Sequence, residues 1–220
     1  MSEEKTPGLL LQAIPYLGQQ KILKIFTPGL GWISLLSKRV KNSALTSPFC
    51  IAEWVYKKGN RDLYSLIDAT LTDGLLDLRT RYSALSAAGK ITLDLIRTQM
   101  PGKPSPDLFA LSCALFQKIG SFEDPEILSA LFRMKLLGHE GLLSLEATCT
   151  SCDAPALHLF QGESYCLGHA PYPGWTFSPE EWEHLRLLAH ARNFSILRQT
   201  PPMKSLYTKI FSLFEERFGH

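Results

Sequence analysis

Residues 21–41 read KILKIFTPGLGWISLLSKRVK. Two short apolar runs, Lys21–Phe26 and Trp32–Leu36, flank the breaker Thr27-Pro28-Gly29, and a basic stretch closes the segment. Runs of this length bounded by Pro and Gly predict two adjacent β-strands. The same punctuation continues on both sides. Upstream, Leu9–Ile14 is apolar and enters the turn Pro15-Tyr16-Leu17-Gly18. Downstream, Phe49–Tyr56 (FCIAEWVY) is rich in aromatic and β-branched residues and stops at Lys57-Lys58-Gly59-Asn60, a hairpin signal, before a fifth strand over Leu63–Ile67. Five short strands in so few residues predict a small barrel, with the five-stranded Greek-key OB type first in line. An SH3-like barrel fits the same pattern.

From Asp73 the apolar period lengthens from strand to helix. Leu75, Leu78, Tyr82, Leu85, Ala88, Ile91 and Leu95 recur at three- and four-residue steps until Met100-Pro101-Gly102. A second helix opens at Ser105-Pro106-Asp107, and a third at Asp124-Pro125-Glu126, with Pro at a first turn. Ser178-Pro179-Glu180-Glu181 is a capping-box signal for a helix to about Arg192, and a last helix spans about Met203 to Phe218. The expected fold is α+β. Residues 1–73 form an OB-type β-barrel, and residues 74–220 form a helical domain with an inserted zinc-binding hairpin.

That hairpin is residues 149–169, CTSCDAPALHLFQGESYCLGH. A Cys-x2-Cys turn and a Cys-x2-His turn, separated by a thirteen-residue spacer, offer the soft tetrahedral donor set that Zn²⁺ prefers. Leu157–Phe160, the turn Gln161-Gly162, and Ser164–Cys166 predict strands that bring the turns together. The expected ligands of one structural zinc are Cys149, Cys152, Cys166 and His169. His158 is a conceivable substitute that completes no second x2 turn. Inert cysteine turns or a redox pair are the other readings of this segment. Cys50 and Cys113 stand alone and read as small buried hydrophobes.

Charge is concentrated in the barrel region. Between residues 21 and 61, Lys21, Lys24, Lys38, Arg39, Lys41, Lys57, Lys58 and Arg61 face only Glu53, a net of +7, although the whole chain carries +2. Interleaved with them are Phe26, Trp32, Phe49, Trp54 and Tyr56. Cations for phosphates and aromatic faces for bases are the footprint of single-strand binding, so these eight cations are the expected nucleic-acid contacts, DNA contacts if the resemblance described below holds. Some of the aromatics must fill the barrel, with Trp54 or Trp32 expected inside. No H-E-x-x-H, H-x-E with CxxC, phosphate-loop or G-x-S-x-G pattern occurs, and no catalytic constellation is assigned. The acidic start and the lack of an apolar run of ~18–20 residues predict a soluble cytoplasmic protein with no membrane span.

The order of these features resembles the recombination mediator family RecO. KILKIFTPGLGWISLLSKRVK is similar to that family's second and third strands, and PFCIAEWVYKKGNRDLYSLIDATL to its later ones. PSPDLFALSCALFQKI and PEILSALFRMKLLGHEGL resemble its central helices. CTSC…CLGH falls where many members carry a zinc motif, usually of four cysteines. The resemblance covers about residues 9–190. This chain departs from the family at Ser37-Lys38-Arg39-Val40, where a Gly is common, in a shorter loop from Asn42 to Ser47, and at His169.

The resemblance implies a non-enzymatic, nucleoid-associated DNA repair and recombination protein. Such a protein binds single- and double-stranded DNA, anneals complementary strands, and acts with RecR to load RecA onto strands coated with SSB. It also implies recognition of the acidic, Phe-ended SSB tail, for which Arg97, Lys103, Arg133 and Lys135 are the nearby cations. From the residues alone, two other functions remain: a zinc-stabilised RNA- or ribosome-associated binding protein, and a protein scaffold with a solvated basic face.

Overall fold

A computed structural model describes residues 3–38, 43–59 and 63–219. Strands β1 (Glu3–Pro15), β2 (Lys21–Thr27), β3 (Gly31–Ser37), β4 (Ile51–Lys57) and β5 (Leu63–Asp73) come first. They close into a barrel in the order β1-β2-β3-β5-β4, antiparallel except for the β3–β5 pair. This is a five-stranded Greek-key closure, as the OB type requires. Helices α1 (Tyr82–Thr98), α2 (Pro106–Ile119) and α3 (Glu126–His139) follow. A small sheet of β6 (His158–Phe160), β7 (Glu163–Tyr165) and β8 (Trp175–Thr176) precedes α4 (Pro179–His190), α5 (Ser195–Gln199) and α6 (Lys204–Phe218). Among the described residues no helix is long and apolar enough to cross a membrane.

Two strands are longer than their apolar runs. β1 starts at Glu3 rather than Leu9, because β4 pairs with all of Glu3–Leu9 before β2 takes over its second half. Its early outward positions carry ion pairs instead of apolar side chains: Lys5 lies 2.6 Å from Glu53, and Glu3 lies 3.3 Å from Lys57. β5 likewise continues past Ile67 to Asp73 along β4. Gly8 is where β1 crosses the barrel. A Cβ there would lie 2.4 Å from Ile25 Cγ2, and the Gly8 carbonyl accepts a hydrogen bond from Trp54 Nε1 at 3.0 Å.

The barrel interior is Leu10, Leu23, Ile25, Ile33, Leu35, Ala52, Trp54 and Tyr56 with Cys50 and Leu45. β2 and β3 fill this core with alternate residues, Leu23 and Ile25 from one and Ile33 and Leu35 from the other. The chain divides into two compact units, Met1–Ser121 and Phe122–His220. The strands end at Asp73, and α1 and α2 belong with the barrel in the first unit. Phe26 packs on Phe109 of α2, and Phe49 on Phe116. The β2–β3 turn is bonded to the α1–α2 loop through Gly102 N–H to Leu30 O (2.8 Å) and Ser105 N–H to Pro28 O (3.0 Å). Gly31 has φ +61°, and a Cβ there would meet the Met100 carbonyl.

The helical reading from Asp73 needs one adjustment. Leu76–Thr80 is a 3₁₀ turn, and α1 starts only at Tyr82. In the second unit α3 is buried on nearly every side and packs against α4 and α6. The capping box is formed as expected, with Glu181 N–H donating to Ser178 Oγ and Ser178 N–H donating to Glu181 Oε2, both at 3.1 Å. The elements β8 and α5, of two and five residues, are too short to carry a periodic signal in the sequence.

Candidate metal centre and nucleic-acid face

The two predicted turns converge. The ligand atoms of Cys149, Cys152, Cys166 and His169 all lie within 4.8 Å of one another. Cys152 Sγ is 3.8 Å from Cys166 Sγ, and His169 Nδ1 is 3.7 Å from Cys149 Sγ and 3.4 Å from Cys166 Sγ. A tetrahedral zinc with bonds of about 2.3 Å to sulfur and 2.0–2.1 Å to nitrogen separates its ligands by roughly 3.8 Å (S to S) and 3.5–3.6 Å (S to N). The donor set therefore fits such an ion and could hold it. The sulfurs are also far outside disulfide bonding distance. Burial works against ionisation of Cys149. Backbone N–H groups of Cys166, Ser151 and Cys152 and the His169 ring outweigh it and hold that thiol down to about 6.

Local structure explains the convergence. Cys152 N–H donates to Cys149 O (3.3 Å) and His169 N–H to Cys166 O (3.1 Å), so each x2 pair sits on a tight turn. Buried Ser164 on β7 anchors the hairpin to the chain before it. Its Oγ accepts from Glu146 N–H at 2.9 Å and donates to Ser144 O, while its carbonyl accepts from Thr150 N–H at 2.8 Å. Gly162, at φ +87°, lies so close to Leu142 O that no Cβ fits. His158 is outside the cluster. Its Nε2–H donates to Pro171 O (3.0 Å), leaving Nδ1 to accept from Thr176 Oγ1 (2.9 Å), so both ring nitrogens are engaged. Cys50 is buried and its thiol is pushed up to about 11, whereas Cys113 is half-buried rather than buried, with burial still raising it to about 12.

On the barrel, the register sorts the eight expected cations. The outer face of β2 and β3 carries Ile22 and Lys24 beside Trp32, Ser34 and Leu36, out of phase with the core residues. Lys24 Nζ lies over the Trp32 ring at 4.8 Å from its centre. Lys21 sits at the barrel rim, reaching Thr46 O at 3.5 Å, and Lys38 is exposed just past the end of β3. Lys57 and Lys58 are paired with carboxylates of β1, Lys58 lying 2.9 Å from Glu4. Sequence reasoning missed these partners because Glu3 and Glu4 lie some fifty residues away along the chain. Arg39, Lys41 and Arg61 lie outside the described residues.

The interleaved aromatics are not a stacking platform. Phe26, Trp54 and Tyr56 are buried, and Phe49 is packed on α2. Half-buried Trp32 donates its Nε1–H to Gln99 O at 2.7 Å. The expectation of Trp54 or Trp32 in the core is met by Trp54.

The family model described as "Recombination protein O N terminal" matches residues 1–75, the five barrel strands and two residues beyond. A DNA repair protein RecO from Chlamydia trachomatis serovar D is 32% identical over 203 residues, 87% of this chain and 82% of that protein. The chain belongs to the RecO family. Another RecO, from Chlamydia pneumoniae, is 26% identical over 94% of this chain and 86% of its own length. RecO from Caldicellulosiruptor bescii is 25% identical over 67% and 62%. These relatives support a RecO-like role in DNA repair.

RecO family membership does not choose among Arg97, Lys103, Arg133 and Lys135 as the cation for an SSB tail, but their placement separates them. Arg97 and Lys103 belong to the first unit. Arg133 is buried, its guanidinium 4.4 and 4.8 Å from the Phe211 and Phe214 ring centres and 3.8 Å from Glu215. It is a packing cation, not a rim cation. Lys135, two positions on, points elsewhere and borders a pocket of about 260 Å³ with Met134, Leu143, Leu145, Ala189 and His190. Burial, then the Arg192 charge, lowers the Lys135 pKa.

Proposed function

We propose that this protein is a DNA-binding mediator of recombinational repair. It binds single- and double-stranded DNA, anneals complementary strands, and works with RecR to load RecA onto SSB-coated single strands. It acts without catalytic turnover, in the cytoplasm at the nucleoid. Residues 1–73 are assigned to nucleic-acid binding, and residues 74–220 to the zinc motif and protein contacts. The observation carrying this reading is the match of the family's N-terminal domain to a closed barrel whose β2–β3 side presents Lys21, Lys24 and Lys38. Cys149, Cys152, Cys166 and His169 are assigned to one structural zinc. Four protein ligands leave no open position for a reacting water.

The test is annealing of SSB-coated complementary strands together with DNA affinity across a salt series. Reversing Lys24 and Lys38 to Glu should weaken binding similarly on all sequences, because phosphate contacts carry no base information. The slope of log affinity against log salt should flatten by about one unit per lost contact. Reversing Lys57 and Lys58 should cost less, since Glu3 and Glu4 already offset them. Unchanged affinity in a folded Lys24/Lys38 variant moves the site off this face, and no annealing by wild type ends the mediator reading.

We assign the acidic, Phe-ended SSB tail to the pocket beside Lys135. An apolar floor suits the Phe ring, and Lys135 with Arg192 suits its carboxylates. Lys135→Ala should weaken a fluorescent tail peptide by several-fold at low salt, less at high salt. Equal affinity in wild type and variant would place the tail on another surface.

A further inference from the structure

The β1–β2 hairpin ends in an exposed tip that the barrel does not need for its core. Residues 14–19 are all exposed, with Ile14 at 40%, Tyr16 at 44% and Leu17 at 70%. The tip is closed by a hydrogen bond from Tyr16 N–H to Gln20 O at 2.9 Å, and Gly18 takes a left-handed φ of +62°. It carries no charge from Leu9 to Gln20. Cations stand directly beside it. Pro15 pairs with Lys21, Lys21 pairs with Ser37, and Lys38 follows. These positions are one and two strand spacings from the end of β1, roughly 5 and 10 Å. An apolar, hydrogen-bonding tip (Tyr16, Leu17, Gln19) is thus rimmed by two cations, while the aromatics of the strands themselves are buried or packed.

We propose that Tyr16 and Leu17 form the surface on which unpaired bases stack, with the adjoining phosphates held by Lys21 and Lys38. This rests on the DNA-binding reading above and adds to it a means of distinguishing single strands from duplex. In a duplex the base faces are already stacked on one another, so the tip gains nothing there and only the cations contribute. In a single strand each base offers a free face, and the contact is indifferent to sequence because every base has one. Annealing needs this combination, since strands must be held by weak contacts that pairing then replaces.

The experiment measures binding of the full chain to an oligothymidylate, an abasic oligomer of the same length, and a duplex. The Tyr16→Ala, Leu17→Ser double variant should bind oligothymidylate at least about five-fold more weakly. Its duplex affinity and its salt slope should stay at wild-type values. Wild type should lose a similar factor on the abasic oligomer, whereas the variant should scarcely distinguish the two single strands. Tyr16→Trp should hold or raise the single-strand affinity. If the double variant matches wild type on oligothymidylate, or loses duplex binding equally, the tip is not a base contact. If wild type binds DNA and the variant instead loses only a protein partner, the tip is a protein contact and the proposal is overturned. A wild type that binds no DNA overturns both this proposal and the barrel's DNA role, whereas tip variants that bind normally overturn the tip alone.

Discussion

Protein purified without added metal should carry about one equivalent of zinc, and stripping it should unfold the segment from about Leu142 to Thr176. Structural zinc contributes on the order of 10–16 kcal/mol of apparent binding free energy in small zinc-finger peptides. Here that energy would replace what the segment lacks in core, for β6, β7 and β8 total only eight residues. The hairpin's own bonds, centred on Ser164 and the close approach at Gly162, orient it but bury few apolar side chains. Cys149→Ser should therefore release most of the metal, shown by elemental analysis and by a chromogenic chelator, and should lower the unfolding temperature sharply. Cys50→Ser is the control. Cys50 is fully buried in the barrel and its thiol resists ionisation, so its replacement should alter packing without altering metal content. A folded chain with no metal would refute the zinc assignment.

Trp54→Ala should destabilise the barrel by about 3–5 kcal/mol, the range for deleting a buried aromatic side chain. Trp54 is fully buried at the centre of the barrel interior, and its Nε1–H satisfies the carbonyl of Gly8. Alanine leaves a cavity and removes the indole hydrogen bond to the Gly8 carbonyl together. Trp54→Phe separates the two effects, since it refills much of the volume and still removes the indole hydrogen bond, at a cost of roughly 0.5–1.5 kcal/mol. Denaturant unfolding of both variants would measure these losses. A loss below about 1 kcal/mol for Trp54→Ala would mean that the interior repacks around the missing ring, contrary to the rigid closure at Gly8.

The five strands of the barrel, the change to helices after Asp73 and the pairing of the two Cys-x2 turns are legible along the chain. The reason is locality. Pro28-Gly29 and Lys58-Gly59 punctuate strands where they stand, and each Cys-x2 turn sets the spacing of its own two ligands. His169 could be preferred to His158 because the same short-range rule applied to it. The Ser178 capping box was legible for the same reason, since its two hydrogen bonds span three residues.

What lies across the barrel from a given residue is set by sheet closure, not by its neighbours along the chain. The cations of residues 21–61 looked nearly unopposed along the chain, but β1 pairs with β4 and brings Glu3 and Glu4 against Lys57 and Lys58. A one-dimensional charge count does not see a partner that sheet closure supplies. The aromatics show the same limit. Which of Phe26, Trp32, Phe49, Trp54 and Tyr56 faces solvent depends on strand parity and on α2 covering the outer side of β2, not on local composition. Arg133 and Lys135 are near neighbours on one helix. One is enclosed between two phenyl rings and the other borders a pocket, because a helix turns about 200° over two residues and α6 covers only one of those directions.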